Sequence, residues 1–495
     1  MASAGSAQPR LGAAALPHLP AGVRRPAYDL AVVRIGIVHF GPGAFHRAHQ
    51  GLYLDELLAA HPGWGICAVS LQSAGVRDAL RPQDGLYTVA LLAEEPAMRV
   101  VGAIRELLCA PEETQAVLAR LADPAVKLVT LTVTEKGYCL AGDDLDLAHP
   151  DIAHDLAAPA TPRSAIGYLF AGLRLRRAHG ARPFTVLSCD NLAGNGHRLR
   201  RAVLQFAGQV DPSTAEWIEA QVAFPCSMVD SITPATDEAL RDRVANALGY
   251  ADAWPVQREA FTQWVVEDRF CNDRPPLELA GVTLSDDIAG YDRAKLRLLN
   301  GAHSTLAYLG ALLELETVRE AMLCAPLARF VERLMRQSIA PVLSLPHGLD
   351  AERYIDAILE RFGNPAVRHR LLQIAWDGSQ KLPVRLLSTI GEALRQGRSI
   401  DAPCLAIAAW LQFVRRQSLA GVALVDPLDA ALRAIGSDTR GDPAHDVPAF
   451  LRLAGVFGSL ATEPAFVGAL ERAYASLGDG SPAAIMRALK ASLAD

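Results

Sequence analysis

The sequence predicts an α/β chain, with a doubly wound parallel sheet in its first part and a mostly helical second domain. Three observations carry this reading. Short apolar runs suited to buried strands alternate with helical patterns up to about residue 290. The first clear run ends in a glycine turn that opens a helix. Beyond Tyr291 convincing strands are few and helix-like stretches are many.

The elements follow in order. Residues 34–40 form an apolar run closed by Gly41-Pro-Gly43, and residues 44–60 carry Leu52, Leu54, Leu57 and Leu58 at helical spacings. Further strands are expected at 64–71, 87–92, 126–134 and 184–189, with helices at 113–121 and 165–178. The second domain shows helical patterns at 294–313, 326–335, 351–361 and 403–416. Residues 1–28 contain no Asp or Glu, and Pro9, Pro17, Pro20 and Pro26 would interrupt an amphipathic targeting helix. The expected organisation is a disordered extension over 1–28, a dinucleotide-binding domain over 29–290 and a helical domain over 291–495.

Composition narrows the function classes. Of the 495 residues, 51% are hydrophobic and 21% charged, which suffices for substantial cores. The net charge of -6, from 48 basic and 54 acidic residues interleaved along the chain, argues against nucleic acid or an anionic membrane as partner. No apolar stretch reaches the roughly 18 to 20 residues of a spanning helix. Eight dispersed cysteines include no CxxC pair, so neither structural zinc nor a disulfide framework is expected, and a reducing, cytoplasmic compartment is.

The glycine turn is the first functional signal. In a GxGxxG fingerprint the first glycine turns the chain, the second admits the pyrophosphate and the third lets helix approach strand. Gly41 and Gly43 fill two places and His46 the third. Between strand and helix, this predicts a Rossmann-type cofactor site. No carboxylate follows the second strand, where Ser70-Leu-Gln-Ser-Ala-Gly75 is neutral, so NAD is expected with NADP also open; Arg77 and Arg81 are the nearest cations. Two polar clusters, Thr134-Glu135-Lys136-Gly137-Tyr138 and Asp190-Asn191, follow strands where ligands bind in parallel sheets, although turn chemistry gives similar sequences. On the helix at 294–313, Lys295 and His303 lie roughly 80° apart around the axis and Asn300 about 60° from His303. An amine, an amide and an imidazole on one sector suit metal-free alcohol oxidation. Lys295 would be the general base, and Asn191 and Asn300 would stabilise the alkoxide. His46 and His49 have ligand spacing, but no cysteine lies near and no metal is expected.

Several ordered motifs then carry a resemblance. Ile37-Val-His-Phe-Gly-Pro-Gly-Ala-Phe-His-Arg-Ala-His-Gln50, Thr132-Val-Thr-Glu-Lys-Gly-Tyr-Cys139 and Ser188-Cys-Asp-Asn191 resemble the polyol-specific long-chain dehydrogenases. So do Phe224-Pro-Cys-Ser-Met-Val-Asp-Ser-Ile-Thr-Pro234, Trp264-Val-Val-Glu-Asp268, Lys295-Leu-Arg-Leu-Leu-Asn-Gly-Ala-His303 and Asp377-Gly-Ser-Gln-Lys-Leu-Pro383. The resemblance implies Lys295 as base, Asn191 and Asn300 as oxyanion amides, and His303, Asp230 and Lys381 on substrate oxygens. Cofactor contacts would come from Gly41, Gly43, Phe45, His46, Arg47, Thr134 and Glu135, without zinc. Within the family, Lys136, Arg368, Arg370 and Arg385 suit a substrate carboxylate, and the motif wording is similar to the fructuronate reductase branch rather than to enzymes of neutral polyols. The expected partner is thus a small sugar acid or polyol, and a monomer is compatible with the family. A cofactor-binding sensor without catalysis is the rival of another class, and retention of Lys295 beside Asn300 and His303 argues against it.

Overall fold

The computed structural model describes residues 8–93 and 97–494. The chain divides into two compact units between Ala289 and Gly290.

In the first unit a five-stranded, all-parallel sheet runs from edge to edge as Thr185–Ser188, Leu128–Leu131, Ile35–Phe40, Gly65–Ser70 and Ile104–Cys109. Numbered along the chain this is the order 5-4-1-2-3, the doubly wound arrangement of dinucleotide-binding sheets read from its far edge. Its strands are buried on both faces, so alternate residues serve different cores. Val38, Phe40, Cys67, Val69, Val129 and Val186 pack with helices Thr114–Ala122, Ala165–Ala178 and Asn195–Val210. Ile37, Ile66, Ala68, Leu128 and Leu187 pack on the opposite side with Leu52, Leu54 and Leu57 of helix Gln50–Leu57. The apolar run beginning at residue 87 forms a strand, Tyr87–Leu92, but in a separate mixed sheet ordered Val23–Arg24, Met98–Val101, Tyr87–Leu92, Val256–Glu259. The third strand of the parallel sheet, Ile104–Cys109, escaped the sequence reading because Arg105 and Glu106 interrupt its apolar pattern.

Two expectations need correction. Residues 44–60 are two helices, Ala44–Ala48 and Gln50–Leu57, broken at His49, whose φ of -126° and ψ of -90° are not helical. The disordered extension fails over 8–28, where Leu11, Ala15, Leu19 and Val23 are buried against Leu86, Val100, Leu240 and Val244. A chain without acidic residues still buries apolar ones when a sheet edge is free to receive them: Val23–Arg24 adds a strand beside Met98–Val101. Residues 1–7 lie outside the described residues.

The second unit is helical, and among its described residues no strand occurs beyond an isolated bridge between Thr317 and Arg370. Helix Asp401–Leu419 is buried over most of its length and runs through the centre of the packing. The stretch at 294–313 is interrupted. α-Helix Ile288–Ala294 passes into a π-helical turn, Lys295–Leu299, before α-helix Asn300–Leu312. Such wide turns concentrate at functional sites. The angles expected for an ideal helix therefore do not hold across Lys295, because each residue of the wider turn advances the chain by a smaller rotation.

Candidate active site

In the first unit a cavity of about 1130 Å³ opens at the carboxyl ends of the parallel strands. Gly41, Pro42, Gly43, Ser70, Gln72 and Thr134 are among its lining residues. Gly41 has φ +87°, and a Cβ there would lie 2.2 Å from the Thr132 carbonyl oxygen, so both conformation and space demand glycine. Thr132 Oγ1 donates to the Gly41 carbonyl at 2.7 Å, and His39 ties both ends by hydrogen bonds to Thr130 Oγ1 (2.7 Å) and Thr132 Oγ1 (2.9 Å). Burial pushes the His39 pKa down to about 3, so the ring stays neutral.

His46, in the third glycine place, lies flat against His39 with ring centroids 3.4 Å apart. A stacked ring thus takes the place of the missing glycine. Gly51, on the following helix, packs on the mixed sheet, since a Cβ there would sit 2.4 Å from the Tyr87 hydroxyl. Arg47 does not line the cavity. Arg47 is fully buried, donates to the carbonyls of Pro42 and Trp254, and stacks between Tyr87 and Trp254. It therefore braces the turn from behind. Phe45 stacks on His49, whose Nε2 hydrogen-bonds the Gln263 carbonyl at 3.0 Å.

Across the cavity, Thr134 adopts φ +64°, a strained conformation for a β-branched residue. Asp190 holds it there, its carboxylate accepting from the Thr134 N–H (2.9 Å), the Val133 N–H (3.0 Å) and the Tyr138 hydroxyl (2.6 Å). Since the single tyrosine proton goes to Asp190, the Ser188 hydroxyl donates to the Tyr138 oxygen at 2.6 Å. Burial raises the Asp190 pKa and these donors oppose that shift. Lys136 and Glu135 are both exposed; Lys136 lines this cavity beside the glycine turn, and Glu135 is not among the lining residues.

Asn191 is exposed at the end of its strand, and Asp230 is buried at the end of Ser227–Asp230. Asn195, which the sequence reading passed over, joins the two strands. Its buried amide donates to the carbonyls of Ser188, Asp190 and Ser227 and accepts from the Ser227 N–H. Near the neutral Ser70–Ser73 stretch, both cations are engaged. Arg77 pairs with Asp78, Glu112 and Glu113, and Arg81 with Glu113.

The second unit carries most of the remaining candidates on the stretches 295–312 and 378–387. Lys295 is buried at the start of the wide turn, and Arg297 anchors that turn through its pair with Glu392. Asp292, one turn earlier, has its pKa raised to about 6 by burial, against the opposing pull of Lys295. His303 is buried against Phe362 and His369, with centroids 4.5 and 5.2 Å away. Burial and the charges around His369, Arg361 and Arg385 hold its pKa well below the usual value, so the imidazole is neutral. Arg385 Nη1 donates to Ser304 Oγ at 3.0 Å and approaches the Asn300 carbonyl at 3.5 Å. Gly301 allows this, since a Cβ would stand 3.2 Å from the Arg385 carbonyl oxygen. Lys381 donates to the Trp376 carbonyl (2.6 Å) and lies 3.6 Å from Asp377; burial and Arg385 lower its pKa.

Arg368 and Arg370 are exposed, and no described contact joins them to His303. The cations acting on His303 are Arg385, which the sequence indicated, and Arg361, which it did not. The signal for Arg361 was present. It shares the buried stripe of helix Ala351–Gly363 with Tyr354, Ile355, Ile358 and Phe362, where an arginine needs a reason.

The first cavity fits a dinucleotide: it is large, closed by a turn that admits only glycine at its base, and bordered by N–H groups at a helix start. Comparison with known proteins agrees. The sequence profile described as Mannitol dehydrogenase Rossmann domain matches residues 35–279, and that of the Mannitol dehydrogenase C-terminal domain matches 287–478. D-mannonate oxidoreductase of Escherichia coli (strain K12) is 43% identical over 467 residues, covering 92% of this chain and 96% of the relative. A crystal structure of D-sorbitol dehydrogenase in substrate-free form is similar with a TM-score of 0.90 and 33% identity, covering 96% of this chain and all of the other. Pseudomonas fluorescens mannitol 2-dehydrogenase, solved as a ternary complex with NAD and D-mannitol, has a TM-score of 0.77 and 37% identity, covering 98% of this chain and all of the other.

Proposed function

The chain belongs to the mannitol dehydrogenase family of oxidoreductases, and from that premise we propose that it interconverts D-fructuronate and D-mannonate with NAD as cofactor. The observation carrying the substrate choice is the cationic surround of the neutral His303. Arg385, held by Ser304 Oγ at 3.0 Å and near the Asn300 carbonyl, sets a guanidinium beside the buried neutral His303, an arrangement that favours a substrate carboxylate. The D-mannonate relative points the same way. The neutral-polyol reading keeps support from the mannitol 2-dehydrogenase whose structure holds D-mannitol.

In the oxidative direction the Lys295 amine takes the proton of the substrate hydroxyl while the C–H electron pair departs as hydride, and the carbonyl forms. NAD, when bound, supplies the hydride acceptor. Amides of Asn191 and Asn300 donate to the oxygen as its negative charge grows. His303, Asp230 and Lys381 orient the remaining hydroxyls, and Arg385 pairs with the carboxylate. In this proposal no metal takes part, since Lys295 supplies the proton acceptor. Gly41, Gly43 and Thr134 shape the cofactor cavity, with Arg47 and Asp190 as positioning residues. NAD is favoured over NADP because Arg77 and Arg81, the cations nearest the neutral Ser70–Ser73 stretch, are both engaged by carboxylates.

The test is initial rates on D-mannonate and D-mannitol, each with NAD and NADP. Turnover of D-mannonate with NAD well above the other three combinations is expected. Preference for D-mannitol would transfer the assignment to the neutral-polyol reading, and silence on both substrates with NADH still bound would favour a sensor.

A further inference from the structure

A second cavity of about 320 Å³ lies elsewhere in the first unit and shares no lining residue with the cofactor cavity. It is built on the four-stranded mixed sheet. Register places Arg24 opposite Arg99, Arg99 opposite Val89, and Arg258 opposite Leu91, so three arginines share one face with two aliphatic side chains. Helix Gln50–Leu57 covers that face with Leu52, Tyr53 and Glu56.

Among the described residues the charges on this face do not balance locally. Arg24 pairs with Glu56 at 2.6 Å, and Arg99 pairs with Glu56 and Asp55. Asp55 is further occupied by the Tyr28 hydroxyl and the Gly102 N–H. Arg258 remains. Its guanidinium has no hydrogen bond or ion pair among the described residues, and its Nε is buried without a partner. Glu259, its neighbour in sequence, projects to the opposite face of the strand and accepts from the Ile232 N–H at 2.6 Å. Burial, reinforced by the like charge of Arg99, pushes the Arg258 pKa down. A half-buried guanidinium without a hydrogen-bond or ion-pair partner among the described residues costs free energy that an anion would offset.

We propose that this cavity is a second ligand site, taking a small organic monocarboxylate with a hydrocarbon tail. The carboxylate pairs with the fork of Arg258, and the tail packs on Leu52, Val89 and Leu91. Thr262 Oγ1 accepts from the Tyr53 hydroxyl at 3.3 Å and keeps its own proton to donate to the ligand. The volume stands at the small end of ligand cavities, which suits a single short chain.

The test uses the full chain with hexanoate, hexylamine and inorganic phosphate as probes, read by calorimetric titration with and without saturating NADH. Saturable binding of one hexanoate per chain is expected, unchanged by NADH, with no binding of hexylamine. Arg258→Met should weaken it roughly ten- to a hundredfold while NADH affinity stays as in the parent. Should that variant not fold, Arg258→Lys keeps the charge and removes the fork, and a several-fold loss is expected. No saturable hexanoate binding, equal affinity in the arginine variants, displacement by NADH, or a preference for phosphate would each overturn the proposal.

Discussion

Replacing Tyr138 by Phe tests whether the strained edge of the cofactor cavity is held by Asp190. The substitution removes one hydroxyl and leaves the ring in place among buried neighbours. What is lost is a hydrogen bond of 2.6 Å to a largely buried carboxylate, together with the acceptor for the Ser188 hydroxyl. A charge-assisted bond of this kind contributes about 1.5–3 kcal/mol. Two backbone donors, Val133 and Thr134, still hold Asp190, so about half of that loss is expected to reach the cofactor, a rise in the NADH dissociation constant of about three- to tenfold. The sign of the pH effect follows from the same geometry. The tyrosine donor favours the ionised carboxylate, so its removal raises the Asp190 pKa further, and the acid limb of NADH binding moves to higher pH. Fluorescence titration of NADH across the acid range reads both effects. Parent affinity with an unshifted acid limb would refute the claim that Asp190 positions Thr134 for the cofactor.

Other consequences can be measured directly. Lys295→Ala should lower kcat by about 10²–10⁴ in stopped-flow or steady-state assays while NADH affinity holds, and equal turnover would remove Lys295 from the proton transfer. Arg385→Met should raise KM for D-mannonate about tenfold or more and leave D-mannitol turnover unaffected, a split that loss of folding cannot imitate. Asp292 has a folded pKa of about 6 against 3.8 when unperturbed, so its carboxyl keeps its proton in the native state where the unfolded chain has released it. Stability from this group is therefore present below about pH 4 and lost as pH rises towards 6, by on the order of 3 kcal/mol, and Asp292→Asn should flatten that slope in denaturant titrations. Gly41→Ala should abolish NADH binding, since its Cβ would meet the Thr132 carbonyl at 2.2 Å.

The fold class could be read before any packing was known, because apolar periodicity and a glycine turn are local signals. The glycine turn was legible for the same reason, and Lys295, Asn300 and His303 stood out as candidates because each is a residue type that its immediate context does not otherwise call for. What only tertiary structure decided is which neighbours those residues meet. That Arg47 faces inward to Trp254, that Asp190 holds Thr134, and that Arg361 stands near His303 all depend on contacts between distant segments. The wide turn at Lys295 belongs to the same class, since hydrogen-bond register within a helix is set by what packs around it. Residues 8–28 make the point most simply: their composition suggested disorder, and a free sheet edge with an apolar surface beside it gave them a place.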